Sequence, residues 1–221
     1  MSAALSRPLS RLLAPLLAAL ALAAAFDVQA QAQPPVSGRD YHELSPARPV
    51  STGNRIEVIE FFYYGCPICY EAEPHVARWL LTAGPSVAIH RVPAVFTDSS
   101  ESFARTFYTL SVMNQIARLH WPIYDNHHFD GKQLDEEKNI VAFVSSNGVD
   151  AKRFTELWHS PEIAAQLESA KKALDTYEVK GVPTFVVDGK YLTSARLAGG
   201  TKEMMRVVDY LVERAAAERK K

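Results

Sequence analysis

Residues Arg55 to Tyr64 read RIEVIEFFYY, a β-branched and aromatic run that Gly65 breaks at once. Such a run predicts a buried central strand. From Cys66 the period changes: Val76, Trp79 and Leu80 recur at helical spacing, and Pro67 suits a first helical turn, where its missing N–H costs nothing. A strand running into a helix therefore places Cys66 at the helix N-terminus. There, unpaired N–H groups and the positive end of the helix dipole favour a thiolate over a thiol. Pro74 lies within the same helix and is expected to bend it.

The chain has two cysteines, Cys66 and Cys69. A disulfide between them closes a very short loop and removes little entropy from the unfolded chain, so reactivity explains the pair better than stapling. A zinc ribbon needs two further ligands at matching spacing, and covalent haem attachment needs His directly after the second Cys, where Tyr70 stands. His127-His128 reads as plain loop, because adjacent residues seldom point at one ion. No metal site is expected.

The first thirty residues have a different composition. Arg7 and Arg11 precede an apolar run from Leu12 to Phe26, and Val28-Gln29-Ala30 offers small residues at a cleavage site, so residues 1–30 are expected to be a secretory signal peptide. The run is broken by Pro15 and is too short for a spanning helix. Losing Arg7, Arg11 and Asp27 takes the formal charge from −1 to −2, and the signs interleave up to Arg219-Lys220-Lys221. No nucleic-acid partner is expected from such a pattern. Export also implies a compartment in which disulfides persist.

With 48% hydrophobic and 22% charged residues the remainder reads as globular. Residues 31–54 carry four prolines and should lead into an edge strand. Val87 to Val95 reads as a second strand, closing a βαβ unit. About 75 residues of helical pattern follow: Phe103, Phe107 and Leu110 share a face, as do Ile140, Phe143 and Val144, then Phe154, Leu157 and Trp158. Ser160-Pro161 is a helix start leading through Ile163, Leu167 and Leu174. Thr184 to Val187 and Lys190 to Thr193 are strand-like and joined by Asp188-Gly189, a hairpin signal. Thr201 is expected to cap a last helix whose Met204, Val207, Val208, Leu211 and Val212 form one apolar stripe. Trp79, Trp121 and Trp158 are read as core anchors.

Taken together, Cys66-Pro67-Ile68-Cys69, the preceding Glu60-Phe61-Phe62 and the later Gly181-Val182-Pro183-Thr184-Phe185 resemble the DsbA family of periplasmic thiol:disulfide oxidoreductases, within the thioredoxin superfamily. The resemblance implies an α/β thioredoxin fold, residues 31–96 and 173–221, interrupted by an all-helical insertion, residues 97–172. It also implies that Cys66 is the reactive sulfur, with a low pKa characteristic of the family, and that Cys69 is its partner. Pro183 is expected in cis beside Cys66. The backbone of Val182 would receive an extended peptide, with Pro67 and Ile68 at the same substrate-binding surface. Glu60 would handle a proton for Cys69; a carboxylate inside VIEFF is costly unless functional or paired, while an exposed strand glutamate is the other reading.

No cofactor is implied beyond the Cys66–Cys69 redox-active disulfide. The implied partners are reduced, unfolded secreted proteins and a quinone-linked membrane reoxidase of the DsbB type, the chain itself working as a monomer in the periplasm. A reductase or isomerase of the same fold and a non-redox folding chaperone remain the alternatives. The chain departs from the best-known family pattern at Ile68, where that pattern has His.

Overall fold

The structure, a computed structural model, describes residues 33–220; the expected signal peptide, residues 1–30, lies outside them. Its sheet is built on β2 (Ile56–Phe62), all seven residues of which are buried. β2 pairs in parallel with β3 (Val87–Pro93) and antiparallel with β4 (Thr184–Val187), and β5 (Tyr191–Ser194) and the short edge strand β1 (His42–Glu43) complete the order β1-β5-β4-β2-β3. A strand covered on both faces needs a continuous apolar run, which is why RIEVIEFFYY shows no alternation. Ile56 and Val58 face α8 (Thr201–Glu218) and α1 (Pro67–Thr82), whereas Ile59 and Phe61 face the other side.

Between β3 and β4 run five helices: α2 (Asp98–Val112), α3 (Ile116–His128), α4 (Glu137–Ser146), α5 (Ala151–Trp158) and α6 (Pro161–Thr176); the one-turn α7 (Ala195–Ala198) follows β5. The three predicted faces are buried, all but Leu157 in one apolar cluster that Phe62, Tyr64 and Cys69 also join. The helical segment is thus packed directly onto the end of β2 and the first turn of α1. Ser160 accepts the Ile163 N–H at 3.3 Å, as its N-cap role requires. α6 runs unbroken past residue 172, and Leu174 in its last turn packs with Ile59, Phe61 and Val186 beneath the sheet. Its C-terminal end therefore serves the sheet while its beginning serves the helices.

Four local expectations change. Thr201 is not the cap of α8: Gly200 holds that position, and the Thr201 hydroxyl instead donates to Glu71 of α1 at 2.8 Å. His127 and His128 are not loop but the last turn of α3, where their rings reach the carbonyl oxygens of Lys132 and Tyr64. Trp121 is not a core anchor. It is 42% exposed, because α3 buries Leu119, His120, Ile123 and Tyr124 and turns residue 121 outward to stack on Tyr70. Val212 is only half-buried, at the edge of the α8 stripe.

Between β4 and β5, Asp188 and Gly189 both adopt positive φ, 54° and 63°, the backbone of a two-residue hairpin turn. A Cβ at Gly189 would run into the backbone carbonyl of Arg48, whereas Gly131, at φ 68°, has open space. Gly131→Ala should cost roughly 1 kcal/mol for the left-handed backbone alone. Gly189→Ala should cost roughly 3 kcal/mol, strain and collision together, in urea unfolding; equal costs would show that the Arg48 segment moves aside freely.

Candidate active site

β2 ends at Phe62, and the chain must turn within four residues to begin α1 at Pro67. The turn is held from several sides. The ring of Tyr63 lies over Gly65, where any Cβ would strike it, and the Tyr63 hydroxyl shares a 2.9 Å hydrogen bond with Ser99. His128 Nε2 meets the Tyr64 carbonyl at 2.7 Å. Cys66 emerges as the N-cap of α1, extended at φ −88° and ψ 117°.

At that position the Cys69 N–H points at the Cys66 sulfur from 3.4 Å, and the sulfur takes the place of an oxygen in an ordinary N-cap. The hydrogen bond from the Cys69 thiol, opposed by partial burial and aided by the Cys69 and Ile68 N–H groups, lowers the Cys66 pKa from 9.0 to about 6. Cys69 sits behind that sulfur, at the edge of the helical core with 2% of its surface exposed, and burial pushes its pKa well above 9.0. No S–S bond joins the two sulfurs in this structure. One is made to ionise and the other to keep its proton.

Glu60 is buried, at 3% exposure. In the parallel β2–β3 ladder it lies opposite Arg91, whose Nε stands 2.8 Å from Glu60 Oε2. Burial, only partly offset by Arg91 and reinforced by the Glu73 charge, raises its pKa to about 7. The Glu60 charge also acts on Cys69. Sequence reasoning missed the rest of this cluster: Arg91 Nη2 reaches Glu73 Oε1 at 2.8 Å, and His120 stands beyond Glu73. A signal for Glu73 was present. Cys69, Ala72, Glu73 and Val76 follow the i, i+3, i+4, i+7 spacing of the buried stripe of α1, with an acid at one of its positions.

The loop before β4 completes the site. Val182-Pro183 is a cis peptide, Pro183 is buried, and the Cys66 sulfur lies 3.7 Å from the Val182 carbonyl oxygen. Pro67 and Ile68 are exposed on the rim. A groove of about 980 Å³ opens beside them, lined by Ile68, Val182, Pro183, Thr184, Leu192 and Leu197 among others. The structure thus brings together all seven residues singled out from the sequence. Among the described residues, no cluster of three His, Cys, Asp or Glu side chains is placed to hold a metal ion.

Residues 86–212 match the family model of the DSBA-like thioredoxin domain, a stretch that includes Pro183 but begins after the cysteines. The thiol:disulfide interchange protein DsbA of Pseudomonas aeruginosa is 38% identical over 201 residues, 91% of this chain and 95% of the relative. Its counterpart from Azotobacter vinelandii is 36% identical, over 86% and 90%. The crystal structure of P. aeruginosa DsbA superposes with a TM-score of 0.80 at 37% identity, covering 85% of this chain and 97% of that one. The oxidoreductase DsbA from Xylella fastidiosa gives 0.78 at 28% identity, over 84% and 100%. With the fold, the strand-to-helix dithiol and these relatives in agreement, the chain belongs to the DsbA-like thioredoxin-domain family.

Proposed function

We propose that this protein is a thiol:disulfide oxidoreductase that donates a Cys66–Cys69 disulfide to reduced, unfolded secreted proteins. The observation that carries the reading is the opposite treatment of two sulfurs three residues apart: Cys66 as N-cap with a lowered pKa, Cys69 buried with a raised one. A substrate thiolate attacks the Cys66 sulfur, the S–S bond breaks, and Cys69 leaves as a thiolate. Glu60, neutral below about pH 7, gives Cys69 its proton. The substrate's second thiolate then attacks its own sulfur in the mixed disulfide and expels Cys66, whose thiolate the helix N-terminus stabilises. The substrate has lost two electrons and the cysteine pair has gained them.

In this reading the Val182 carbonyl, 3.7 Å from the Cys66 sulfur, belongs to the backbone that aligns an extended peptide, and the groove beside Ile68 receives its side chains. Pro183 keeps that loop against the sulfur. Turnover needs an oxidant, and a quinone-linked membrane partner of the DsbB type fits the family. The chain is read as a monomeric periplasmic protein with a signal peptide at 1–30, a thioredoxin-like part at 31–96 and 173–221, and a helical insertion at 97–172. Among the described residues no helix is long and apolar enough to cross a membrane.

Replacing one sulfur at a time tests the reading. With a reduced two-cysteine substrate and a disulfide oxidant, Cys69→Ser should accumulate mixed disulfides at Cys66, resolved by non-reducing gel and mass spectrometry, and lose at least ~100-fold in turnover. Cys66→Ser should trap nothing and be equally inactive. Trapping at Cys69, or turnover by the double variant, would point instead to a different nucleophile or a non-redox chaperone.

Ile68 favours a milder oxidant than a CPHC enzyme, since isoleucine offers Cys66 neither a hydrogen bond nor a partial charge. Ile68 is 44% exposed, so a histidine fits there without repacking. Ile68→His should lower the Cys66 pKa by roughly one unit and raise the reduction potential by around 30 mV. Thiolate absorbance and glutathione equilibration measure the two; a pKa unchanged within a few tenths, or a falling potential, would show that this residue does not set the redox poise.

A further inference from the structure

Behind Cys69, side chains from five segments converge on one buried cluster that the exchange steps use only in part. β2 contributes Glu60, β3 contributes Arg91, and α1 contributes Cys69 and Glu73. The turn after β2 adds Tyr64, and α3 adds His120 and Tyr124. From α2 the ring of Phe107 meets His120 edge-on, as does Phe62 of β2, and neither carries charge. One guanidinium thus serves two buried carboxyl groups. Were both acids ionised, the cluster would hold a net negative charge out of water, so one of them keeps a proton.

Arg91 alone does not decide which, for it lies 2.8 Å from Glu60 and 2.8 Å from Glu73. His120 breaks the tie. Its Nδ1 stands 2.7 Å from the Tyr64 hydroxyl, and its Nε2 stands 3.4 Å from Glu73 Oε2, a contact short of a hydrogen bond that no histidine among the described residues matches at Glu60. When Tyr64 donates to Nδ1, the ring proton resides on Nε2 and faces Glu73.

We propose that His120 is a positioning residue of the exchange reaction: its Nε2 proton keeps Glu73 ionised and so assigns the single shared proton to Glu60, the acid coupled to Cys69. The inference rests on the reading that Glu60 supplies the Cys69 proton. Electrostatics agree with the geometry. Burial, which outweighs the pull of Glu73, keeps the imidazole itself neutral, so it acts through the dipole of its Nε2–H and not as a second cation. Burial would raise Glu73, but the His120 contact and the Arg91 charge outweigh it and hold Glu73 below the usual carboxylate range. Among the described residues no histidine stands against Glu60 in this way, and burial raises it.

Carboxyl-carbon NMR of the reduced protein, labelled at glutamate, follows both acids through pH. In the wild type Glu60 should titrate near 7 and Glu73 in the acid range. In His120→Leu the Glu60 midpoint should fall by at least about one unit while that of Glu73 rises. His120→Gln, whose amide N–H faces the same carboxylate, should restore most of the shift, and the pH profile of Cys69 attack on a mixed disulfide should move with the Glu60 midpoint. An unmoved Glu60 midpoint in His120→Leu overturns the proposal. Should that variant not fold, Glu73→Gln frees Arg91 for Glu60 and must lower the same midpoint; no change there is equally fatal. Glu60→Gln separates the two claims: if the midpoints behave as described but this variant resolves mixed disulfides at the wild-type rate, the proton assignment stands and the role of Glu60 in exchange falls.

Discussion

The Cys69 N–H meets the Cys66 sulfur at 3.4 Å because α1 begins one residue after that sulfur, and this contact depends on where β2 stops. A helix N-terminus leaves its first N–H groups without intrahelical acceptors, and a thiolate is a good partner for them. Were β2 to continue through Tyr64, Cys66 would arrive at a different place in the first turn or outside it. The turn is therefore anchored by side chains remote in sequence: Ser99 on Tyr63, and His128 on the Tyr64 carbonyl. Ser99 is fixed in turn by Asp135 at 2.9 Å. Both anchors come from the helices between β3 and β4, so that segment shapes the reactive turn as well as covering the sheet.

The same helices supply the second half of the asymmetry. Cys69 lies in an apolar cluster with Phe103, Ile123, Tyr124 and Phe154, and a thiolate there would have no solvent. Burial thus makes Cys69 a group that must be handed a proton when it leaves, and Glu60 is the acid whose charge it feels. The cluster of Glu60, Arg91, Glu73 and His120 is expensive in desolvation, and a core of apolar residues would serve folding as well or better. Under the proposed function, its presence behind Cys69 serves proton handling rather than stability.

What could be read from the chain follows the range of the interactions involved. β2, the helix start at Cys66 and the Asp188-Gly189 turn are written in adjacent residues, and all three appear where expected. The cap at Ser160 is equally local, whereas Thr201 carries the same kind of signal and is diverted to Glu71, 130 residues away. Glu60 was legible as a carboxylate out of place in an apolar run. Its partner was not, because Arg91 becomes opposite Glu60 only once the β2–β3 register is set. His120 carries no local signal, and its meaning depends on Tyr64 and Glu73, which reach it from other elements. Trp121 shows the reverse case: a residue type that favours the core, turned outward by the phase of α3.

Stability of the reduced and oxidised protein as a function of pH tests most directly the claim that thiolate stabilisation at Cys66 drives the chemistry. A group whose pKa is 9.0 in the unfolded chain and about 6 in the folded one adds stability that is full above 9 and lost as pH falls through 6. The oxidised form has no such thiol. In urea unfolding, the stability of the reduced form minus that of the oxidised form should therefore rise from pH 6 to pH 9, with a slope approaching one proton, and the reduced form should be the more stable at pH 7. A difference that stays flat or falls over that range would contradict the account.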